Sequence, residues 1–204
     1  MGSALQRRLV VTLALTLATA LVWLLGWDES AASWTRPWRD QELGLWWGQA
    51  AYWTGLGGVQ AAAVGLAALW GRFSRRGELW RTGLVALGGL AVSGLLVQVV
   101  KVLVGRPRPR MALPVWQLFG PTLKSDLHSF PSGHAATSFA LAAVLGERWP
   151  GQAWVFHLVA AMVCAGRVIS GSHHMSDVMG GALLGLAVGW PLARRFAVRE
   201  RGLR

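Results

Sequence analysis

Long apolar runs, separated by short polar and basic stretches, dominate this chain of 204 residues. A helix needs about 20 apolar residues to cross a bilayer, and six runs approach or exceed that length. The predicted spans are about 9–27, 45–70, 83–104, 132–148, 152–170 and 177–193. The pattern predicts an all-α, integral membrane bundle of six transmembrane helices. We expect residues 1–204 to form one domain.

The first span has two interpretations. A basic segment with Arg7 and Arg8 precedes it, as in a signal peptide, and residues 18–20 read Ala-Thr-Ala, which resembles a cleavage site. The apolar run continues to Trp27, however, and is longer than the core of an ordinary signal peptide. The length predicts a retained membrane anchor.

Composition supports the membrane prediction. The chain is 53% hydrophobic and 14% charged, against roughly 25% charged residues in soluble domains. A net charge of +11 would indicate nucleic-acid binding in a soluble protein. Here most basic residues lie between apolar runs, so we expect no nucleic-acid partner. The 13 tryptophans suit membrane–water interfaces, and Cys164, the only cysteine, excludes an intrachain disulfide.

The basic residues also predict an orientation, because loops on the cytoplasmic side carry more lysine and arginine. With the N-terminus inside, twelve of the 20 basic residues fall on the inner side. They are Arg7, Arg8, Arg72, Arg75, Arg76, Arg81, Arg148, Arg194, Arg195, Arg199, Arg201 and Arg204. We therefore expect both termini inside a bacterial inner (cytoplasmic) membrane. The loops after helices three and five would then face the periplasm or exterior.

Three polar segments interrupt the apolar pattern at the predicted outer face. They are "KVLVGRPRP" at 101–109, "PSGH" at 131–134 and "GRVISGSHHMSD" at 166–177. Ionisable residues at membrane depth are usually functional, although Lys101 alone could extend its ammonium group to the interface. Together the segments offer three cations, two histidines, a carboxylate and a helix N-terminus. That set suits a phosphate.

Each part of this set has a physical reason to bind phosphate. Arginine binds phosphate oxygens through two parallel hydrogen bonds, and lysine adds a point charge. Ser132 is expected to cap the helix that follows, whose first backbone N–H groups would face an anion. Gly133 leaves room for the ligand to approach that backbone.

The ordered pattern K-x6-RP, PSGH and R-x5-H-x3-D resembles the type 2 phosphatidic acid phosphatase superfamily. That superfamily also includes glucose-6-phosphatase, bacterial non-specific acid phosphatases and vanadium haloperoxidases. The resemblance covers residues 101–177. One position departs from it, because Gly166 stands where the family usually has serine, and one hydroxyl donor to phosphate is thereby lost.

The resemblance implies a role for each matching residue. His173 would be the nucleophile that forms a phosphohistidine, Asp177 its orienting partner, and His134 the acid that protonates the leaving oxygen. The implied phosphate cradle consists of Lys101, Arg108, Ser132, Gly133 and Arg167. No metal or other cofactor is implied. The chemistry is consistent, since a histidine nucleophile must be neutral and a carboxylate can fix its tautomer.

Other polar residues receive weaker predictions. We expect Arg106 and Arg110 to be solvated loop charges, His157 to be a hydrogen-bonded core histidine, and His174 to be a loop residue or a supporting group. Three loop residues are assigned either to head-group selection or to no role, and they are Lys124, Asp126 and His128. A stripe of small residues in the last span is expected to pack inside the bundle, and it consists of Gly181, Gly185 and Gly189.

The expected function is that of a lipid phosphatase acting in the outer leaflet. Its candidate substrates are undecaprenyl diphosphate, phosphatidic acid, phosphatidylglycerol phosphate, diacylglycerol pyrophosphate and lipid A. Residues 110–130 and the first outer loop, with Trp34 and Trp38, would select among them. The alternatives are a lipid phosphotransferase, a vanadate-dependent haloperoxidase, and a transporter or sensor that only binds phosphate. The oligomeric state stays open.

Overall fold

The computed structural model describes the backbone of residues 2–201 and the side chains of residues 5–195. Arg204 and the side chains of Arg199 and Arg201 lie outside the described residues. In the described part the regular structure is helical, without strands, as predicted. The α-helices are α1 (Gly2–Leu24), α2 (Trp27–Arg39), α3 (Glu42–Gly55), α4 (Gly57–Phe73), α5 (Gly77–Val104), α6 (Gly133–Arg148), α7 (Ala153–Ile169) and α8 (Met175–Arg201).

The described helices make the chain an integral membrane protein with four or five candidate spans. Four segments are long and apolar enough to cross a bilayer, and they are Leu5–Leu24, Gly77–Met111, Pro150–Ile169 and Met175–Arg195. The pair α3 and α4 makes a fifth if it is taken as one bent span. Helix α6 has 16 residues and is about 24 Å long, shorter than a hydrocarbon core of about 30 Å. The predicted count of six and the orientation stay predictions.

Small residues let the short helix α6 pack inside the bundle. The three glycines of α8 face its backbone, and a Cβ at Gly185 would lie 2.8 Å from the amide nitrogen of Ala140. A Cβ at Gly189 would lie 2.7 Å from the Cβ of Ala143. Ala140 and Ala143 are themselves fully buried. The glycine stripe therefore packs within the bundle, as predicted.

The segment between the first two predicted spans contains a helix that the sequence did not reveal. The span predicted to end at Trp27 ends at Leu24, and Gly26 turns the chain with a left-handed backbone (φ 69°) into α2. Helix α2 contacts α1, α3, α7 and α8. Trp34 and Trp38 therefore lie on a helix and not in an irregular loop. Both side chains are exposed.

The second predicted span is two helices and not one. Helices α3 and α4 meet at Leu56 with a bend of 54°. Gly55, the last residue of α3, is buried against α6, where an added Cβ would lie 2.9 Å from Cδ2 of His134. The break therefore brings the end of α3 onto the first turn of α6.

Candidate active site

The first motif begins on the last turn of α5 and continues into the following loop. Lys101 is buried near the end of α5, and Gly105 (φ 60°) ends the helix in the left-handed region. The backbone N–H of Arg108 donates to the carbonyl of Asp126 over 3.1 Å. Its Nη1 donates to the carbonyl of Ser172 over 3.2 Å. Arg108 is thereby held against the loop that carries the third motif.

The second motif starts α6 as predicted. Ser132 is the N-cap, and its side chain accepts from the backbone N–H of Ala135 over 3.5 Å. The backbone N–H of Ser132 donates to the carbonyl of Asp177 over 2.9 Å. This bond joins the start of α6 to the start of α8. The remaining first-turn N–H groups of a helix have no partner within the helix and favour an anion.

The imidazole of His134 lies on the first turn of α6 beside an aromatic ring of α3. Its ring centroid is 5.5 Å from that of Tyr52, and the guanidinium of Arg167 lies 5.5 Å from the same tyrosine ring. Nε2 of His134 is buried without a hydrogen-bond partner among the described residues. Tyr52 therefore places the acid candidate and a cradle cation around one ring, with one imidazole nitrogen available.

The third motif spans the end of α7, a short loop and the first turn of α8. The backbone N–H of His173 donates to the carbonyl of Arg167 over 3.2 Å. Nδ1 of His173 lies 3.5 Å from Oδ2 of Asp177, and both side chains are buried. Since the carboxylate faces Nδ1, Nε2 is the nitrogen left to attack an electrophile.

Burial sets the protonation state of His173. It lowers the pKa of His173 to about 4, although Asp177 acts in the opposite direction. The imidazole is therefore neutral at pH 7, the form that a nucleophile requires. Asp177 is fixed independently of His173, because its Oδ2 accepts from Oγ of Ser129 (2.5 Å) and from the backbone N–H of His174 (2.8 Å).

The cradle cations converge on the two histidines. Lys101 interacts electrostatically with Arg108 and Arg167, and the same cations act on His134 and His173. None of the three cations forms an ion pair with a carboxylate of the described residues. The structure thus brings all the predicted site residues together and leaves their positive charge for an anion. Their roles in catalysis stay predictions.

The prediction that Arg106 is a solvated charge is wrong. Its side chain is 2% exposed, and each guanidinium nitrogen has a partner. Nη1 donates to Oδ1 of Asp177 over 2.6 Å, Nη2 to Oδ2 of Asp28 over 2.7 Å, and Nε to the carbonyl of Val115 over 3.1 Å. Arg106 is a buried bridge between two carboxylates because the turn after α5 directs it into the bundle.

Sequence reasoning missed Asp28 as part of this site. It is 1% exposed on the first turn of α2, and it accepts from the backbone N–H (2.8 Å) and Oγ (2.6 Å) of Ser176. Ser129, which also bonds Asp177, was missed too. The sequence offered no signal that separates Asp28 from its exposed neighbour Glu29. Helix α2 is thereby tied to the start of α8.

Most of the remaining polar residues lie away from the cradle. Arg110 and Asp126 pair with each other on the surface, Nε2 of His128 contacts the carbonyl of Thr122 at 2.8 Å, and Lys124 is exposed. Nδ1 of His157 bonds the carbonyl of Ala153 over 2.8 Å, as expected for a core histidine. In the described part of the chain, no three histidine, cysteine or acidic side chains group as metal ligands.

His174 is a supporting group and not an exposed loop residue. It is buried, and its Nε2 lies 3.3 Å from the carbonyl of Pro107. Burial lowers the pKa of its imidazole. The contact joins the first motif to the third one.

Packing explains the departure at Gly166. A Cβ there would lie 2.9 Å from Cδ1 of Trp47 and would also meet Ala51. Nε1 of Trp47 donates to the carbonyl of Met162 over 3.0 Å, which holds α3 against α7. A serine at 166 has no room at this contact, so the cradle depends on its other donors.

Comparison with known proteins identifies the family. The helices define an integral membrane protein, in which cations and two histidines cluster at one place. The family model of the PAP2 superfamily matches residues 82–201, which is more than half of the chain. The chain belongs to the PAP2 superfamily, as the motifs predicted.

Two curated relatives are named as lipid phosphatases. The chain is similar to lipid phosphate phosphatase 2 of Arabidopsis thaliana, 31% identical over 136 residues, 50% of this chain and 46% of that protein. It is also similar to lipid A 1-phosphatase of Porphyromonas gingivalis, 31% identical over 122 residues, 57% of this chain and 24% of that protein. The matches thus span less than half the length of these relatives.

A solved structure shares the fold. The crystal structure of a transmembrane PAP2-type phosphatidylglycerolphosphate phosphatase from Bacillus subtilis matches with a TM-score of 0.68. The match is 24% identical and covers 95% of each chain. At that identity the likeness establishes the membrane fold.

Proposed function

We propose that this protein is a lipid phosphatase that hydrolyses a phosphate monoester or a diphosphate of a membrane lipid. The observation that carries the proposal is the convergence of three cations without carboxylate partners on a neutral, buried His173 and on His134. Family membership and the names of the two curated relatives support the same class of reaction. Relatives that act on lipids favour a lipid substrate over a small soluble one.

The first chemical step is transfer of the phosphoryl group to His173. Its Nε2 attacks phosphorus while the bond from phosphorus to the leaving oxygen breaks. Asp177 stabilises the imidazolium that forms, because its carboxylate faces Nδ1. The N-terminus of α6 and the cradle cations stabilise the equatorial oxygens. The anionic substrate favours the protonated form of His134, which gives its proton to the leaving oxygen, a contribution typically worth about 10²–10⁴-fold in rate.

The second step returns the enzyme to its starting state. Water attacks the phosphohistidine, the phosphorus–nitrogen bond breaks, and His134 takes the proton that the water loses. Phosphate then leaves the cradle. The residues gathered at the site supply both the nucleophile and the acid–base group, so the proposed reaction uses no metal.

A cleft on the outer side of α3 gives a lipid a route to the cradle. It has a volume of about 910 Å³, and Tyr52 and Arg167 are among the residues that line it. Trp46 and Trp53 line it and are largely exposed. An apolar tail would lie along α3 while the phosphate reaches Arg167. We place this site at the periplasmic or exterior face of a bacterial inner membrane, in keeping with the arginine distribution.

Phosphate release by the purified protein in detergent with EDTA tests the proposal. The panel consists of phosphatidic acid, phosphatidylglycerol phosphate, undecaprenyl diphosphate and lipid A. Release from at least one lipid is expected, and His173→Ala should lower it by at least about 10⁴-fold. His157→Ala is the matched control, because that histidine lies away from the cradle and should leave the rate near that of the wild type.

The failing outcomes separate the alternatives. Release that persists in His173→Ala would rule out the phosphohistidine route. Release that EDTA abolishes would rule out the metal-independent reaction. If no lipid releases phosphate but a labelled phosphoryl group remains on His173, the protein is a phosphotransferase. If neither is seen, the cradle only binds phosphate.

A further inference from the structure

Arg39 has a guanidinium that neither the motifs nor the mechanism uses. It is the last residue of α2, and its guanidinium lies against Gly171, in the loop before His173. A Cβ at Gly171 would lie 2.7 Å from Nε of Arg39, and Gly171 has a left-handed backbone (φ 63°). Two reasons therefore favour glycine at position 171: its left-handed backbone, and the guanidinium of Arg39, which occupies the space that a Cβ would fill.

This guanidinium is not neutralised within the described residues. Its Nε is buried and has no hydrogen-bond partner there. Arg39 also forms no ion pair with a carboxylate of that part of the chain. A buried donor without a hydrogen-bond partner raises the free energy of the folded protein. An anionic ligand at this place would remove that cost.

Arg39 lines the same cleft as a cradle residue. Arg167 and the serines Ser170 and Ser172 line it as well. The two serine hydroxyl oxygens are 2.9 Å apart. Two guanidinium groups and two hydroxyls therefore line the cleft together with apolar residues of α3 such as Leu45 and Trp46. This is the donor set of a phosphate subsite.

The subsite is adjacent to the proposed nucleophile. Arg39 also borders a narrow void that is lined by His173, Gly171 and Asp28, whose carboxylate pairs with Arg106 and not with Arg39. Because Arg39 lies against Gly171, two residues before His173, a group that Arg39 binds would lie close to the phosphorus atom that His173 is proposed to attack. A second phosphate reaches both places when it is bonded directly to the first, as in a diphosphate.

We propose that Arg39 binds the inner phosphate of a lipid diphosphate, the group that leaves when His173 takes the terminal phosphoryl group. The inference rests on the proposed function and deepens it by naming the substrate class. The bond between the terminal phosphorus and the bridging oxygen breaks, and its electron pair stays on the lipid monophosphate. Arg39 stabilises the charge that develops on this leaving group.

Two lipids that differ by one phosphate test the inference. Phosphatidic acid and diacylglycerol pyrophosphate share the same diacylglycerol, so their comparison isolates the second phosphate. Arg39→Gln should lower kcat/KM for the diphosphate by about 10- to 100-fold, the range expected for a hydrogen bond to a charged group. It should change kcat/KM for phosphatidic acid by less than about threefold. Arg39→Lys should retain an intermediate preference for the diphosphate.

Arg36→Gln is the matched control, since Arg36 is exposed on the same helix and does not line the cleft. It should leave both rates unchanged. An equal loss on both lipids in Arg39→Gln would overturn the inference, because Arg39 would then support the whole cradle. The inference would also be overturned if Arg39→Gln had the same kcat/KM for the diphosphate as the wild type.

A binding measurement separates this inference from the proposed function. Methylenediphosphonate mimics a diphosphate but resists cleavage, and methylphosphonate mimics a single phosphate. The first compound should raise the Tm of the wild-type protein more than the second, and Arg39→Gln should remove the difference. This result would support the subsite even if no lipid were hydrolysed. Equal stabilisation of the wild type by both compounds would contradict it.

Discussion

Arg106 and Arg108 lie two residues apart in one motif, yet they serve opposite purposes. Arg106 is fully buried, and two carboxylates accept its hydrogen bonds. Arg108 is half-buried, and among the described residues its guanidinium donates only to the carbonyls of Ser125 and Ser172. The charge of the first arginine is neutralised within an ion-pair network that holds helices together. The second belongs to a cradle whose charge is not cancelled by a neighbouring carboxylate.

This contrast shows how a membrane protein can keep an anion site charged. The Asp28–Arg106–Asp177 network matches one cation with two carboxylates, and serines bond the remaining oxygens. The cradle places Lys101, Arg108 and Arg167 near one another without an ion pair. The three positive charges repel one another unless an anion binds between them. A rigid surrounding structure is needed to keep their side chains close together. We infer that the network supplies this frame, and the following tests address that inference.

The largest expected effect comes from Asp28→Asn. Arg106 keeps its pair with Asp177, but the variant weakens three buried hydrogen bonds that the Asp28 carboxylate accepts. A hydrogen bond to a charged group is typically worth about 1.5–3 kcal/mol. The free energy of unfolding in detergent should fall by that amount, and thermal unfolding followed by circular dichroism would measure it. Glu29→Gln is the control, because its side chain is exposed on the same turn. A Tm equal to that of the wild type in Asp28→Asn would refute the role of the network as a frame.

Arg108→Gln should show the reverse pattern. Removal of one preorganised donor from a charged transition state costs about 10²–10³-fold in kcat. We expect that loss of phosphate release with little change in Tm, because the guanidinium makes only carbonyl contacts. Arg110→Gln, on the exposed neighbour that pairs with Asp126, should retain wild-type kcat. If Arg108→Gln instead unfolded the protein and Arg110→Gln lost activity, the division between frame and cradle would be wrong.

A smaller effect is expected from pH, through His173, where the two regions meet. Burial lowers the pKa of His173 to about 4, while an unfolded histidine titrates near 6.5. Between these values the unfolded chain binds the proton and the folded protein does not, so stability falls as pH falls. From pH 7 to pH 5 the contribution is about 2 kcal/mol. His173→Gln should remove that part of the pH dependence of Tm, and an unchanged slope would contradict the burial of a neutral imidazole.

The sequence predicted the site better than the frame. His134, His173 and Asp177 could be placed because each belongs to a short motif with fixed spacing. Arg106 and Asp28 could not, since an arginine in a loop and an aspartate before a tryptophan-rich segment are ordinary surface residues in most chains. Arg106 and Asp28 are 78 residues apart in the sequence, and only long-range packing brings them together.

The same distinction applies to the helices. Apolar length located α1, α5, α7 and α8, because the cost of leaving backbone groups unsatisfied in lipid forces long apolar runs to be helical. It did not reveal the break at Leu56 or the helix α2, since a bend within apolar residues and an amphipathic outer segment leave the apolar count unchanged. Whether α6 crosses the membrane depends on its neighbours, which cover its 16 residues.

By itself, the sequence determined the membrane class, the family and the residues of the candidate site, because composition and motif spacing are local properties. The tertiary structure decided which charges are neutralised. It buried Arg106 between two carboxylates, left Arg108 and Arg167 without one, and brought Arg39 from a distant helix to the loop before His173. Those outcomes depend on which helices meet, and the free energy of a charge depends on what lies next to it.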